Sequence, residues 1–121
     1  MRYLGWLTLV AASLLTGCRH NDENPLVPGA SIAAGRAAIQ QYNCGVCHQI
    51  RGISGADGMV GPPLSGIVRR TLIGGELPNN VANLSAWIRD PQAIEPRSGM
   101  PNLGVDSAAA RNIVAYLYTL R

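Results

Sequence analysis

Two of the three cysteines stand in the run Cys44-Gly45-Val46-Cys47-His48. A C-x-x-C-H run is the pattern of c-type haem attachment. Thiols on adjacent turns reach the two vinyl groups on one edge of a porphyrin, and the histidine that follows turns its imidazole toward the iron. Thioether bonds do not dissociate, so the cofactor survives where nothing replenishes it. Two other chemistries use the same cysteine spacing. A thioredoxin-like disulfide belongs near a βαβ pattern, which is missing here. A structural zinc wants four ligands, and the sequence offers no second Cys/His pair at zinc-ligand spacing.

A six-coordinate haem iron needs a second axial ligand, and the candidates are Met59, Met100 and His20. Met59 follows His48 closely in a glycine-rich stretch, from which the opposite face of the ring is awkward to reach. Met100, in Gly99-Met100-Pro101, lies well downstream, after a helix able to line the far side. Methionine is also a common filler of hydrophobic cores, so spacing alone leaves its role open.

The third cysteine has another explanation. Arg2 is followed by an apolar stretch from Tyr3 to Thr16, which reads as an export signal and is shorter than the roughly 20 residues that span a bilayer. It ends in Leu15-Thr16-Gly17-Cys18, which resembles a bacterial lipobox. That resemblance implies cleavage after residue 17 and lipidation of Cys18, with two or three acyl chains giving stable anchoring. Residues 19–30 (RHNDENPLVPGA) are polar and proline-bearing, and read as a flexible tether that spans about 40 Å if extended.

The elements that must position the haem-binding residues are helical. Ser31 caps a helix running to about Tyr42, with Ile32, Gly35, Ile39 and Tyr42 on its apolar stripe. Gly35 costs about 1 kcal/mol against alanine there, which predicts a close approach by another element. Residues 49–80 hold many glycines and prolines, including Gly61-Pro62-Pro63-Leu64, and read as loops. So long a loop stretch in a small domain needs a functional reason, which a cofactor to wrap supplies. Asn80 caps a second helix with Val81, Leu84, Trp87 and Ile88 on one face, ended at Asp90 by Pro91. Asp106 caps a last helix from Ser107 to about Leu120, whose stripe is Ala110, Ile113, Tyr116, Leu117 and Leu120. The domain over 31–121 is expected to be all-α.

Composition agrees with a domain built around a cofactor. The chain has 121 residues, no Phe, and 14 Gly with 8 Pro, a thin supply for a core made of side chains alone. All ten basic residues are arginine and the net charge is +3. That surplus is mild and unclustered beyond Arg69-Arg70, which argues against a nucleic-acid partner.

The ordered set of these features makes residues 31–121 resemble a class I cytochrome c. The stations are a helix with Gly35 leading to Cys44-x-x-Cys47-His48, then Gly61-Pro62-Pro63-Leu64, then Leu84-Ser85-Ala86-Trp87-Ile88-Arg89-Asp90-Pro91. Met100-Pro101 and a helix with Tyr116-Leu117 complete it. The resemblance implies three main helices with long loops wrapped around one covalent haem c. It makes His48 the proximal and Met100 the distal ligand, with the Pro62 carbonyl accepting from the His48 ring N–H. Gly35 would mark the crossing of first and last helices, with Tyr116 nearby. Arg70 and Ser98 match positions near the haem propionates, Trp87 a position beside the methionine sulfur, and Ile88 one that packs on the ring. Two departures stand out. Ile39 replaces a common aromatic, which predicts a looser helix crossing, and Arg97 in the methionine loop is unusual.

Function follows as one-electron transfer without catalysis and without a small-molecule substrate. The expected setting is the periplasmic side of a membrane, in a respiratory chain. A quinol-oxidising complex or dehydrogenase would be the donor, and a terminal oxidase the acceptor. The alternative is a haem enzyme or sensor, peroxidase-like or gas-binding, whose distal position is vacant or labile.

Overall fold

The computed structural model describes residues 22–121; the segment read as an export signal, Cys18 and His20 lie outside the described residues. Four α-helices carry the domain: α1 (Ile32–Gln41), α2 (Val81–Arg89), α3 (Pro91–Ile94) and α4 (Ser107–Leu117). Single 3₁₀ turns occur at Cys44–Val46 and Ile67–Arg69. Each α-helix begins at a side chain that accepts an otherwise orphaned N–H. Ser31 takes that of Ala34, Asn80 that of Asn83, Asp90 that of Ala93 and Asp106 that of Ala109. Asp90 closes α2 and opens α3, whose first residue is Pro91. Proline suits that position because its missing N–H would have no partner there, so the proline stops one helix and starts the next.

α4 is the hub. It packs against α1 and α2, and its residues Ala110, Ile113, Val114, Ala115 and Leu117 are buried with Ile39, Leu84 and Ile88. The crossing of α1 and α4 is closest at Gly35, where an added Cβ would stand 1.9 Å from the Asn112 carbonyl oxygen. The helices touch backbone to backbone there, which accounts for a glycine inside a helix. Ile39, which stands where the resemblance makes an aromatic common, is 1% exposed and fully packed in the core. The Tyr116 hydroxyl donates to the Arg51 carbonyl at 2.9 Å, fixing the loop after His48 onto α4. That loop has Gly52 (φ +85°) under the tyrosine, where a Cβ would meet the hydroxyl at 2.4 Å.

Two features depart from the sequence reading. Leu72–Ile73 and Leu77–Pro78 form a small antiparallel hairpin inside the stretch read as loops. Its turn holds Gly74 and Gly75 with φ 58° and 78°, and a glycine pair between apolar residues is a hairpin signal. The larger departure lies at the N-terminus. From Asp22 to Ala30 the chain packs on the domain, with Val27 0% and Ala30 1% exposed. The Asn24 amide donates to the Ala115 carbonyl at 3.0 Å, and Arg111 donates to the Pro28 carbonyl at 2.9 Å. Proline and polar residues masked the one apolar anchor, Val27, that draws this segment onto α4. It is a strap rather than a free tether.

Candidate haem-binding site

Asn43, at φ 56°, ends α1 and turns the chain into Cys44–Val46; asparagine is among the few residues that tolerate this left-handed geometry. The His48 N–H then bonds the Cys44 carbonyl at 3.0 Å, so both cysteines and the histidine belong to one compact turn. Burial pushes the Cys44 thiol above its ordinary value; a backbone hydrogen bond opposes this, and the nearby Cys47 adds to it. Neither cysteine is in a disulfide.

The imidazole of His48 is oriented from behind. Its Nδ1 lies 2.8 Å from the Pro62 carbonyl oxygen. A carbonyl only accepts, so Nδ1–H is the donor, and Nε2 is the ring nitrogen left over for another partner such as a metal. Gly61 lets the loop come this close: a Cβ there would stand 2.3 Å from the ring's Cε1. The Gly61 N–H bonds the Cys47 carbonyl at 2.7 Å, and the Gly58 N–H bonds that of Gly45 at 3.1 Å. The Arg70 guanidinium donates to the Pro63 carbonyl, tying the next residue of the same loop. Arg70 thus serves the loop behind His48 in this structure.

The methionine loop has its own frame. The Gln92 amide on α3 donates to the carbonyls of Ser98 (3.2 Å) and Met100 (2.6 Å). The Ser98 hydroxyl accepts from the Met100 N–H at 3.2 Å, so Ser98 shapes the loop. Arg97 forms an exposed pair with Glu95 at 3.5 Å, an interaction worth little. Met100 is half-buried, whereas Met59 is 86% exposed. Ile88 is buried in α2. Trp87, half-buried, lies with its ring against Gly74, where a Cβ would meet Cη2 at 2.3 Å.

Two residues of this framework escaped the sequence reading. Gln92 sits two residues past Asp90, where the sequence reading places only the end of a helix. Asn79 donates to the carbonyls of Ile67 (2.7 Å) and Arg70 (2.9 Å) and accepts from the Tyr118 hydroxyl at 3.0 Å. It joins the Arg70 segment to the end of α4, and a lone asparagine in a loop carries no signal for that.

The donor set fits a haem better than its rivals. Among the described residues no three His, Cys, Asp or Glu side chains gather to hold a metal ion, so these residues by themselves assemble no zinc site. The only sheet among them is the two-stranded hairpin, so a thioredoxin-like βαβ unit is missing as well. Paired thiols, a histidine with its Nε2 free, and a small helical domain with long loops define a c-type haem protein. A family model for cytochrome c matches residues 32–121, and the chain belongs to the cytochrome c family. Its members bind haem covalently and transfer electrons. The chain is also 34% identical over 88 residues to cytochrome c oxidase subunit 2 of Alkalihalophilus pseudofirmus; the match covers 72% of this chain and 25% of that protein. The chain thus aligns with about a quarter of that longer relative. Among the described residues no helix is long and apolar enough to cross a membrane.

Proposed function

We propose that the protein is a lipid-anchored electron carrier on the periplasmic side of a membrane. It would take single electrons from a quinol-oxidising complex or dehydrogenase and pass them to a terminal oxidase. Residues 1–17 act as the export signal and Cys18 takes the lipid. Cys44 and Cys47 hold the haem, with His48 and Met100 as its axial ligands. The observation that carries this reading is the His48–Pro62 hydrogen bond, which engages Nδ1 and leaves Nε2 as the ring nitrogen available to an iron.

The haem supplies a reversible one-electron couple. A thioether opposite an imidazole favours the ferrous state and raises the potential. The chain's own work is to hold both ligands still. Pro62, Gly61 and Arg70 fix the His48 side, and Gln92 with Ser98 fixes the Met100 loop. A bound methionine leaves no coordination position for substrate, which favours a carrier over an enzyme. Beside the attachment turn, Val46, Met59 and Val60 are 72%, 86% and 83% exposed. This apolar face suits brief docking to a redox partner near the thioether edge. The similarity to an oxidase subunit supports a terminal oxidase as acceptor.

The test uses anchored protein with membranes from the same cell. Quinol should reduce it through one membrane fraction, and an oxidase fraction should reoxidise it. If no fraction does either, the carrier reading fails. Tight carbon monoxide binding by the unmodified reduced protein would favour the gas-binding or peroxidase-like alternative.

A further inference from the structure

A cleft of about 220 Å³ lies between α2 and α4, lined by Ala82, Ser85, Ala86, Arg89, Ser107 and Arg111. Small side chains open its floor and two exposed guanidinium groups flank it. Among the described residues the single ion pair is Arg97–Glu95, so neither Arg89 nor Arg111 meets a carboxylate. The acids next to the cleft in sequence, Asp90 and Asp106, are occupied in capping the N–H groups of Ala93 and Ala109. The Ser85 hydroxyl donates to the Val81 carbonyl, and the two arginines with the Ser107 hydroxyl around one opening suit a phosphate group, which guanidinium binds with paired hydrogen bonds.

The strap shows where such a phosphate would come from. Arg111 also reaches the Pro28 carbonyl, so the cleft adjoins the packed N-terminal segment. That segment doubles back on itself: Glu23 bridges Ser31, and the Ile32 N–H bonds the Asp22 carbonyl at 2.8 Å. Asp22 therefore sits at the root of α1, close to α4. Only four residue steps separate Cys18 from Asp22, a reach of about 14 Å even when fully extended. An acylated Cys18 would hold this side of the domain at the bilayer surface. Leu26, 50% exposed on the strap, leaves an apolar side chain open to a bilayer.

We propose that the Arg89/Arg111 cleft binds the phosphate of an anionic phospholipid headgroup, so that the domain rests on the membrane in one orientation. This rests on the reading of Cys18 as the anchor. The bilayer then restricts docking to partners embedded in the same membrane.

The experiment places the mature holoprotein in nanodiscs of phosphatidylglycerol or phosphatidylcholine and follows amide hydrogen exchange over residues 82–89 and 107–111. Exchange should slow at least five-fold on phosphatidylglycerol relative to phosphatidylcholine. Arg89→Gln/Arg111→Gln should abolish the difference, and Arg69→Gln/Arg97→Gln, an equal charge loss outside the cleft, should keep it. An unchanged haem spectrum checks that each variant is folded. Equal exchange on both lipids, or equal loss with the control pair, overturns the proposal. Equal protection by inorganic phosphate on phosphatidylcholine discs would assign the cleft to a soluble anion and also overturn it. Intact mass of the amino terminus reads the anchor separately. If it shows no acyl chains, the anchor reading fails while the cleft is still tested by co-sedimentation with phosphatidylglycerol vesicles. The cleft double variant must then weaken binding at least five-fold, and unchanged binding overturns the proposal.

Discussion

At the scale of single residues, the site depends on contacts too close for an extra atom. Gly61 lies under the His48 ring, so Gly61→Ala must push the loop or the imidazole away. Overpacking of this kind costs about 2 kcal/mol, and the Pro62 bond to Nδ1 lengthens with it. The holoprotein should melt several degrees lower, and its midpoint potential should shift; an unchanged melting temperature would mean the loop yields freely. Tyr118 gives a pH dependence. Burial raises its hydroxyl above the ordinary value of 10.0, so the folded state holds the proton more tightly than the unfolded chain does. This contribution is complete below the unfolded value and fades as pH rises through the higher folded one. Urea denaturation should show stability falling from pH 10 upward. Tyr118→Phe should flatten that fall while costing about 1 kcal/mol at neutral pH, because Asn79 loses its donor. The contact of Pro62 with His48 was legible through the family resemblance, because the Cys44-x-x-Cys47-His48 run and the Gly61-Pro62 station stand in that family's order. Gln92 and Asn79 were not, since their partners are backbone carbonyls that any residue supplies.

At the scale of elements, helix starts were legible and long-range packing was not. Ser31, Asn80 and Asp106 each act as caps where polar residues precede apolar periodicity. The last helix stops at Leu117, short of the expected Leu120; Leu120 is still buried, beyond the helix end. Apolar periodicity reported its burial and said nothing of its backbone. The strap was illegible because one valine among prolines and acids has no period to detect. Val27→Ala should cost about 2 kcal/mol, combining lost methyl burial with a residual cavity. Protease cleavage between residues 22 and 30 should then quicken, and an unchanged rate would argue against a packed strap. Gly35→Ala should cost more, since its Cβ would enter the α4 backbone, and it should prevent recovery of folded holoprotein. The α3 turn has a different role. Gln92→Ala removes both bonds to the methionine loop, worth about 1 kcal/mol each. Methionine ligation should then be lost at a lower temperature than global unfolding, as seen by visible absorbance against circular dichroism.

At the scale of the whole molecule, the long loops carry His48, Pro62 and Met100, the residues proposed to serve the haem, and α4 binds the rest together. Charge is mild and the face beside the attachment turn is apolar around Val46, Met59 and Val60. Docking that buries apolar surface is little screened by salt. The rate of electron transfer to its acceptor should therefore change less than about three-fold between low and physiological ionic strength, a trend stopped-flow kinetics can follow; a steep fall would mark a charged interface instead. The account's central claim is that His48 and Met100 together close the coordination of a carrier's iron. The most direct measurement is the absorption of the ferric protein in the red, where methionine-to-iron ligation gives a weak charge-transfer band. The account predicts the band in the native protein and its loss in Met100→Ala, with the haem still covalently attached. A native protein without the band, or a variant that keeps it, would contradict the claim.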